Sequence, residues 1–276
     1  MMNFQVARNF AQLKPVLLVL PVVLLSVIAL FLLSQNALST HGYVEIQKPF
    51  FYAINSRLSE FPNVMNNLTY VGDAMVFLSM MGVFIVIAPK IWEAAVPAAL
   101  FSLVFSKLFK SLFSVPRPAG ILDQDSFHII GKTLVGYSSL PSGHSITVFT
   151  FITVLMYGFM PKNLGKKILW FAFMVCTGLF VAFTRVGVGA HYPLDVVSGS
   201  IIGYICGLLG IFTMRKCNLF GWLGQKKWFP FLILAFLVCV VVFITKIRTE
   251  NLPVFYVAIV GLVVSLYKMI KVYVQK

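Results

Sequence analysis

Apolar stretches of about 20 residues, each long enough to cross a hydrocarbon core of ~30 Å as a helix, recur along this chain. The first of them, "PVLLVLPVVLLSVIALFLLS", holds no charge at all. Of the 276 residues, 59% are hydrophobic and 11% charged, and the mean hydropathy is +0.92. A soluble domain averages about 25% charged residues, so this chain is not built to face water over most of its surface. The expected fold is an all-α integral membrane bundle with eight spans: 15–34, 73–89, 92–112, 144–160, 168–185, 194–213, 229–246 and 253–270. The second carries the weakest signal, being short and glycine-containing. Arg8 and Lys14 precede the first run as they would in a signal peptide. That run is longer than a typical signal core and no small-x-small cleavage site follows it, so it reads as a retained anchor.

The formal charge of +14 invites comparison with nucleic-acid binders, but the basic residues do not gather on one soluble segment. They alternate by loop. Arg8 and Lys14, Lys90, the group Lys162, Lys166 and Lys167, the group Arg215, Lys216, Lys226 and Lys227, and finally Lys268, Lys271 and Lys276 fall on one side. The opposite loops hold most of the acids: Glu45, Glu60, Asp73, Asp123, Asp125, Asp195 and Glu250. The positive-inside rule then puts both termini in the cytoplasm, as an even number of spans requires. The basicity is topological, with attraction to anionic lipids as a secondary effect, and no nucleic-acid partner is expected.

One domain is expected over 1–276, without linker or repeat. Segment 35–72 mixes aromatics with Lys48, Arg57 and Glu60 and reads as one or two amphipathic helices at the interface. Segment 113–143 is too rich in proline and glycine for a long helix. The last two spans, 229–270, read as an accessory pair and not as part of a site. Cys176, Cys206, Cys217 and Cys239 lack the spacing of a metal site or a disulfide framework and read as packing residues.

Charged side chains at membrane helix ends are costly and usually functional. Four ends on the acid-bearing side carry them. The third span ends with Lys107 and Lys110, followed by Arg117-Pro118. The fourth begins at Ser142-Gly143-His144, the fifth ends at Thr184-Arg185, and the sixth opens with His191 and Asp195. If adjacent spans are antiparallel, these ends share one rim. Lys110, Arg117 and Arg185 are the cations a phosphate site needs. The N–H groups of Ser142, Gly143 and His144 are helix N-terminal donors that bind anions, with Ser142 as the N-cap. His191 and Asp195, four apart, lie on one face if helical. A carboxylate there fixes the imidazole tautomer and frees the other nitrogen to attack. His144, from another helix, can protonate the leaving oxygen.

The order Lys110-x6-Arg117-Pro118, Pro141-Ser142-Gly143-His144, Arg185-x5-His191-x3-Asp195 resembles the three-part signature of the type 2 phosphatidic acid phosphatase superfamily. The resemblance covers roughly 73–213 and departs at Thr184, where that family commonly has serine; the hydroxyl is kept, so phosphate binding is expected to survive. It implies a six-helix core and a metal-independent, cofactor-free lipid phosphatase of the cell envelope. It further implies that His191 forms a phosphohistidine, that Asp195 orients it and that His144 is acid and then base. Lys110, Arg117, Ser142, Gly143 and Arg185 would hold the phosphoryl oxygens. The sequence adds no carboxylate cluster for Mg²⁺ or Zn²⁺.

The expected substrate is a lipid phosphate or pyrophosphate reached at the outer face of the cytoplasmic membrane. Undecaprenyl pyrophosphate, phosphatidylglycerophosphate, phosphatidate and lipid A phosphate all fit. A phosphotransferase passing the group from His191 to a lipid, and a non-catalytic lipid or anion transporter, are the alternatives. Lys107 reads as a snorkelling lysine, His41 and His128 as surface or packing residues, and Asp123 and Asp125 as loop acids. Asn67-Leu68-Thr69 matches a glycosylation sequon that arises often by chance. The glycines at 199, 203, 207 and 210 read as a packing stripe.

Overall fold

A computed structural model describes residues 2–217 and 219–275; Lys276, counted above among the cytoplasmic residues, lies outside them. The described residues form helices and turns, without a strand. The helices are α1 (Met2–Ala11), α2 (Val19–Ser34), α3 (Thr40–Leu58), α4 (Pro62–Thr69), α5 (Ala74–Met81), α6 (Phe84–Ile87) and α7 (Pro89–Phe113). They continue with α8 (Pro118–Ile121), α9 (Gly143–Gly158), α10 (Leu164–Gly187), α11 (Pro193–Cys217), α12 (Phe229–Glu250) and α13 (Pro253–Val274). Six segments are long and apolar enough to cross a membrane: 15–34, 89–121, 164–187, 193–217, 226–250 and 253–274. The outward faces of α2, α12 and α13 are lined with exposed residues such as Leu20, Leu30, Phe231, Leu234, Val260 and Tyr267. Water would not stabilise that surface; hydrocarbon does. The chain is an integral membrane protein.

Helix α11 is the axis. It shows almost no amphipathic pattern, because it is covered on most sides and 61% of its apolar window is buried. Its small-residue stripe is what lets neighbours approach. A side chain on Gly199 would meet the Ser142 carbonyl oxygen at 2.7 Å, one on Gly203 the Ile146 carbonyl oxygen at 2.4 Å, and one on Gly207 the Thr153 Cβ at 2.6 Å. Gly210 instead faces α7, where a side chain would meet Ala98 Cβ at 2.4 Å. In hydrocarbon, where apolar transfer drives no association, such backbone proximity is a main source of helix cohesion.

Two expected spans take a different form. The second, 73–89, is not one helix: α5 stops after eight residues and α6 has four, with Gly82 and Val83 between them. Gly82 lies where α5 meets the last two helices, and a side chain there would meet Ser265 Oγ at 2.6 Å and a Phe236 ring carbon at 2.8 Å. The segment still passes from one end of the bundle to the other, since Thr69 bonds to Arg185 at one end and Lys90 N–H to Asn3 at the other. The fourth span, α9, has 16 residues, about 24 Å at ~1.5 Å per residue.

Helices α3 and α4 are the two helices expected for 35–72, but they are a roof rather than a surface ornament. Tyr43, Gln47 and Asn55 of α3 are buried. Gln47 Oε1 accepts from Leu194 N–H at 2.7 Å, and Asn55 Nδ2 donates to the carbonyls of His128, Val186 and Gly187 at 3.0–3.1 Å. The opposite end gathers both termini. Asn9 donates to the carbonyls of Gly158 and Met160, and Arg215 donates to the Leu13 carbonyl at 2.6 Å. Lys226 donates to the Gln275 carbonyl. Among the described residues, Glu93 is the sole acid at that end, where it pairs with Lys90.

Candidate active site

The four expected helix ends meet under the α3–α4 roof. Helix α7 ends at Ser114 in the left-handed region, and an extended segment brings Arg117 across. Arg117 donates through Nε to Ser138 Oγ at 3.3 Å and through Nη1 to the Ala190 carbonyl at 3.2 Å. The same Nη1 stands 3.3 Å from His191 Nε2. Lys110 Nζ lies beside Gly143, so close that a side chain on Gly143 would meet it at 3.3 Å. Among the described residues, no hydrogen-bond partner satisfies Lys110.

Ser142 is the N-cap of α9, as expected: its Oγ accepts from Ser145 N–H at 3.3 Å and from Ser145 Oγ at 2.9 Å. Its own N–H, however, donates to the Asp195 carbonyl at 3.0 Å. Ser142 is wholly buried, so the helix end offers the N–H groups of Gly143 and His144 and not the three donors expected. What Ser142 does is lock the start of α9 onto the start of α11. Thr184 likewise turns away from the site, its Oγ1 donating to the Val181 carbonyl of its own helix at 2.6 Å.

His191 is not on a helix. It lies in the turn before α11, which Gly189 makes possible with φ +75, and its N–H and that of Ala190 reach the Arg185 carbonyl. A side chain on Gly189 would strike the His128 carbonyl at 2.7 Å. Asp195 reaches back from the first turn of α11 and accepts Tyr192 N–H through Oδ2 at 2.9 Å, one half of a capping box. His191 Nδ1 lies 3.5 Å from that same Oδ2, short of a hydrogen bond in this resting arrangement. Asp195 is therefore brought beside His191 through a cap rather than a shared helix face. Burial, with Arg117, Arg185 and Lys110 nearby, holds the His191 imidazole below the ordinary histidine range, hence neutral near pH 7. Its Nε2 faces the cations.

Arg185 is 5% exposed, donates through Nη1 to Thr69 Oγ1 at 2.7 Å, and leaves its buried Nε without a partner. A buried guanidinium N–H costs free energy unless an acceptor arrives. Arg185 and His144 line one cavity of about 280 Å³. His144 is pressed from behind by Gly72, where a side chain would meet its Cβ at 2.7 Å.

Two partners of Asp195 have no signature in the local sequence. Tyr43 of α3 donates to Oδ1 at 2.7 Å, and Ser139 Oγ donates to Oδ2 at 2.5 Å. Both come from segments read only as roof and loop. Tyr43 is buried and, with Asp195 beside it, its phenol is raised well above the usual range, so it stays a donor. The last two helices also contribute, contrary to their expected accessory place. Lys246 of α12 lines the cavity that holds His144 and Arg185, and Glu250 accepts from Tyr70 Oη and lies 3.1 Å from Lys132 Nζ. These residues are far away in sequence and reach the rim because α12 runs the full length of the bundle.

The residues read as bystanders stay outside. Lys107 is exposed, His41 is exposed near Glu45, His128 binds Asn55 through its backbone, and Asp123 caps a turn through Asp125 N–H. The amide of Asn67 is engaged on both atoms, by the Asn63 carbonyl and Val254 N–H. All four cysteines are free.

A family model for the PAP2 superfamily matches residues 90–219, the stretch that contains every residue of the three-part constellation. The chain is 32% identical to a lipid A 1-phosphatase of Rhizobium etli over 157 residues, 52% of this chain and 63% of that protein. It is 34% identical to a lipid A 1-phosphatase of Rhizobium johnstonii over 135 residues, 46% of this chain and 51% of that one. The match therefore spans less than two thirds of either relative. The crystal structure of Aquifex aeolicus LpxE is similar at 27% identity and a TM-score of 0.49, covering 60% of this chain and 95% of that one. The chain is thus similar to the PAP2 superfamily over 90–219, the stretch whose motif residues assemble at one rim.

Proposed function

We propose that this protein is a lipid phosphate phosphatase acting through a phosphohistidine on His191. The observation that carries this is the set of unspent donors around one nitrogen. His191 Nε2 lies 3.3 Å from Arg117 Nη1, Arg185 Nε is buried without an acceptor, and Lys110 Nζ lies beside Gly143 at the start of α9, where the N–H groups of Gly143 and His144 begin the helix. A phosphoryl group satisfies all of them.

In the first step His191 Nε2 attacks phosphorus and the bond to the lipid oxygen breaks, while His144 gives that oxygen a proton. Asp195 stabilises the positive ring by accepting from Nδ1, and Tyr43 and Ser139 hold the carboxylate in place. In the second step His144 takes a proton from water, the hydroxide adds to phosphorus, and the P–N bond breaks to release inorganic phosphate and neutral His191. Lys110, Arg117 and Arg185 neutralise the charge of the three equatorial oxygens in both transition states.

The substrate is a phosphomonoester or pyrophosphate of a lipid. Similarity to the two Rhizobium lipid A 1-phosphatases supports the 1-phosphate of lipid A as the first candidate to assay, with undecaprenyl pyrophosphate next. An apolar groove of about 280 Å³ between α2, α7 and α11, lined by Leu25, Leu32, Phe109 and Ile202, runs up to Val115 and Leu140-Pro141, the segments that precede Arg117 and Ser142. It fits a lipid tail arriving from within the bilayer. The excess of basic residues at the terminus-bearing end supports a cytoplasmic place for that end and an outer-face site.

The test is phosphate release from a panel of lipid phosphates by the full chain in detergent. Wild type releases phosphate from at least one, and His191→Ala, folded by its melting curve, releases none. Turnover retained by that variant overturns the mechanism.

A further inference from the structure

We infer that Lys132 and Lys246 form a second anion subsite beside the catalytic one, which makes the protein prefer lipids bearing two phosphates over those bearing one. This rests on the phosphatase reading above and extends it to a substrate class. The cavity that holds His144 and Arg185 does not end with them. It continues past Thr69 and Tyr70 to Lys132, in the loop before α9, and to Lys246, near the end of α12. Its described lining carries three cations, Lys132, Arg185 and Lys246, and one carboxylate, Asp73, with Glu250 beside Lys132 at the mouth. A transferred phosphoryl group is already supplied with Lys110, Arg117, Arg185 and two backbone donors, so the two outer lysines are surplus to it.

Both lysines are held with donors to spare. Lys246 Nζ stands 3.9 Å from Asp73 Oδ2, beyond hydrogen-bond range, and lies over the rings of Phe255 at 5.4 Å and Tyr70 at 5.9 Å. Ring faces orient the ammonium without consuming its N–H groups. Lys132 Nζ lies 3.1 Å from Glu250 Oε1 and its side chain is 78% exposed, so one donor is used and two point to open space. Glu250 accepts from Tyr70 Oη as well, which ties the loop, the roof and α12 together around the cavity mouth. At about 280 Å³ the cavity takes a head group and not a whole lipid.

The second phosphate comes either from the same diphosphate or from a remote position on a glycosyl head group, and the chemistry of recognition is the same. Two matched pairs separate these sources: undecaprenyl diphosphate against its monophosphate, and bis-phosphorylated lipid A against the form carrying only the 1-phosphate. The readout is the ratio of kcat/KM within each pair, for wild type, Lys132→Ala, Lys246→Met and the double variant. Methionine keeps the apolar stem on the rings, and Lys132 is too exposed for its removal to disturb folding.

The expected result is a wild-type preference for the doubly phosphorylated member that falls about tenfold in the double variant, the size of one or two charge-assisted contacts. A fall confined to the prenyl pair assigns the subsite to an adjacent phosphate, and one confined to the glycolipid pair to a remote phosphate. Ratios unchanged in both pairs overturn the inference, even where all rates drop together. If wild type releases phosphate from none of the four lipids, the catalytic reading fails on its own. The same ratios, measured as Kd for the four lipids, then decide the subsite by the same criterion.

Discussion

A single methyl group at Gly203 tests how tightly the chemistry depends on helix spacing. Gly203 faces α9 from the middle of α11, and a side chain there meets the Ile146 carbonyl oxygen at 2.4 Å and Phe149 Cβ at 2.8 Å, where ordinary contact begins at 3.4 Å. Neither obstacle is a flexible tip. Gly203→Ala therefore forces α9 and α11 apart by about 1 Å, at an overpacking cost of about 1–3 kcal/mol. His144 and its neighbouring N–H donors ride on α9, two residues before Ile146, while Asp195 rides on α11 and positions His191. A misplacement of about 1 Å between reacting groups costs on the order of 10²-fold in rate. The assay is kcat for phosphate release in detergent, read beside thermal unfolding of the same preparation. Gly165→Ala is the control, since its side chain meets only Asn163 Oδ1 at 3.5 Å, at the far end of α10. A Gly203→Ala protein with wild-type kcat and melting temperature refutes the claim that this contact sets the site.

Tyr43→Phe removes the 2.7 Å donor to Asp195 Oδ1 in a buried place, a loss of about 1–3 kcal/mol if it falls wholly on the transition state. It should lower kcat about ten- to a hundredfold with KM within twofold; a change in KM alone contradicts a positioning role. The neutral form of His191, favoured by burial and three cations, should persist as pH falls through the ordinary imidazole value of ~6.5. NMR titration of the resting protein should place its midpoint below that value, and a midpoint at or above it refutes the electrostatic argument. Vanadate, which mimics the trigonal-bipyramidal phosphoryl group, should inhibit, and EDTA should leave the rate within twofold; undiminished activity with vanadate counts against the covalent intermediate.

Much of the site was legible in the chain because its signals are local. Helix-length apolar runs reveal spans without reference to any partner, and Ser142-Gly143-His144 announces a helix start wherever it falls. The charged ends could be assigned to one rim from antiparallel connectivity alone. The details that failed depend on who the neighbours are. Ser142 N–H looked free because its acceptor, the Asp195 carbonyl, is 53 positions away along the chain. Thr184 looked like a phosphate ligand until its hydroxyl turned back on Val181. The second span looked continuous because hydropathy does not register that Gly82 must admit Ser265 and Phe236.

By itself, then, the amino-acid order determined that this chain enters a bilayer, which ends of its helices carry charge, and which cations and imidazoles stand at those ends. Those properties follow from the transfer free energy of runs and the chemistry of single residues. Only tertiary structure decided that Tyr43 and Ser139 hold Asp195, that Ser142 N–H is taken up at the start of α9, and that Lys132 and Lys246 line the cavity of His144 and Arg185. Each of those is a contact between residues distant along the chain, made at a distance that glycines on α11 and the roof of α3 set. A hydrogen bond depends on tenths of an ångström, and sequence spacing carries no information at that scale.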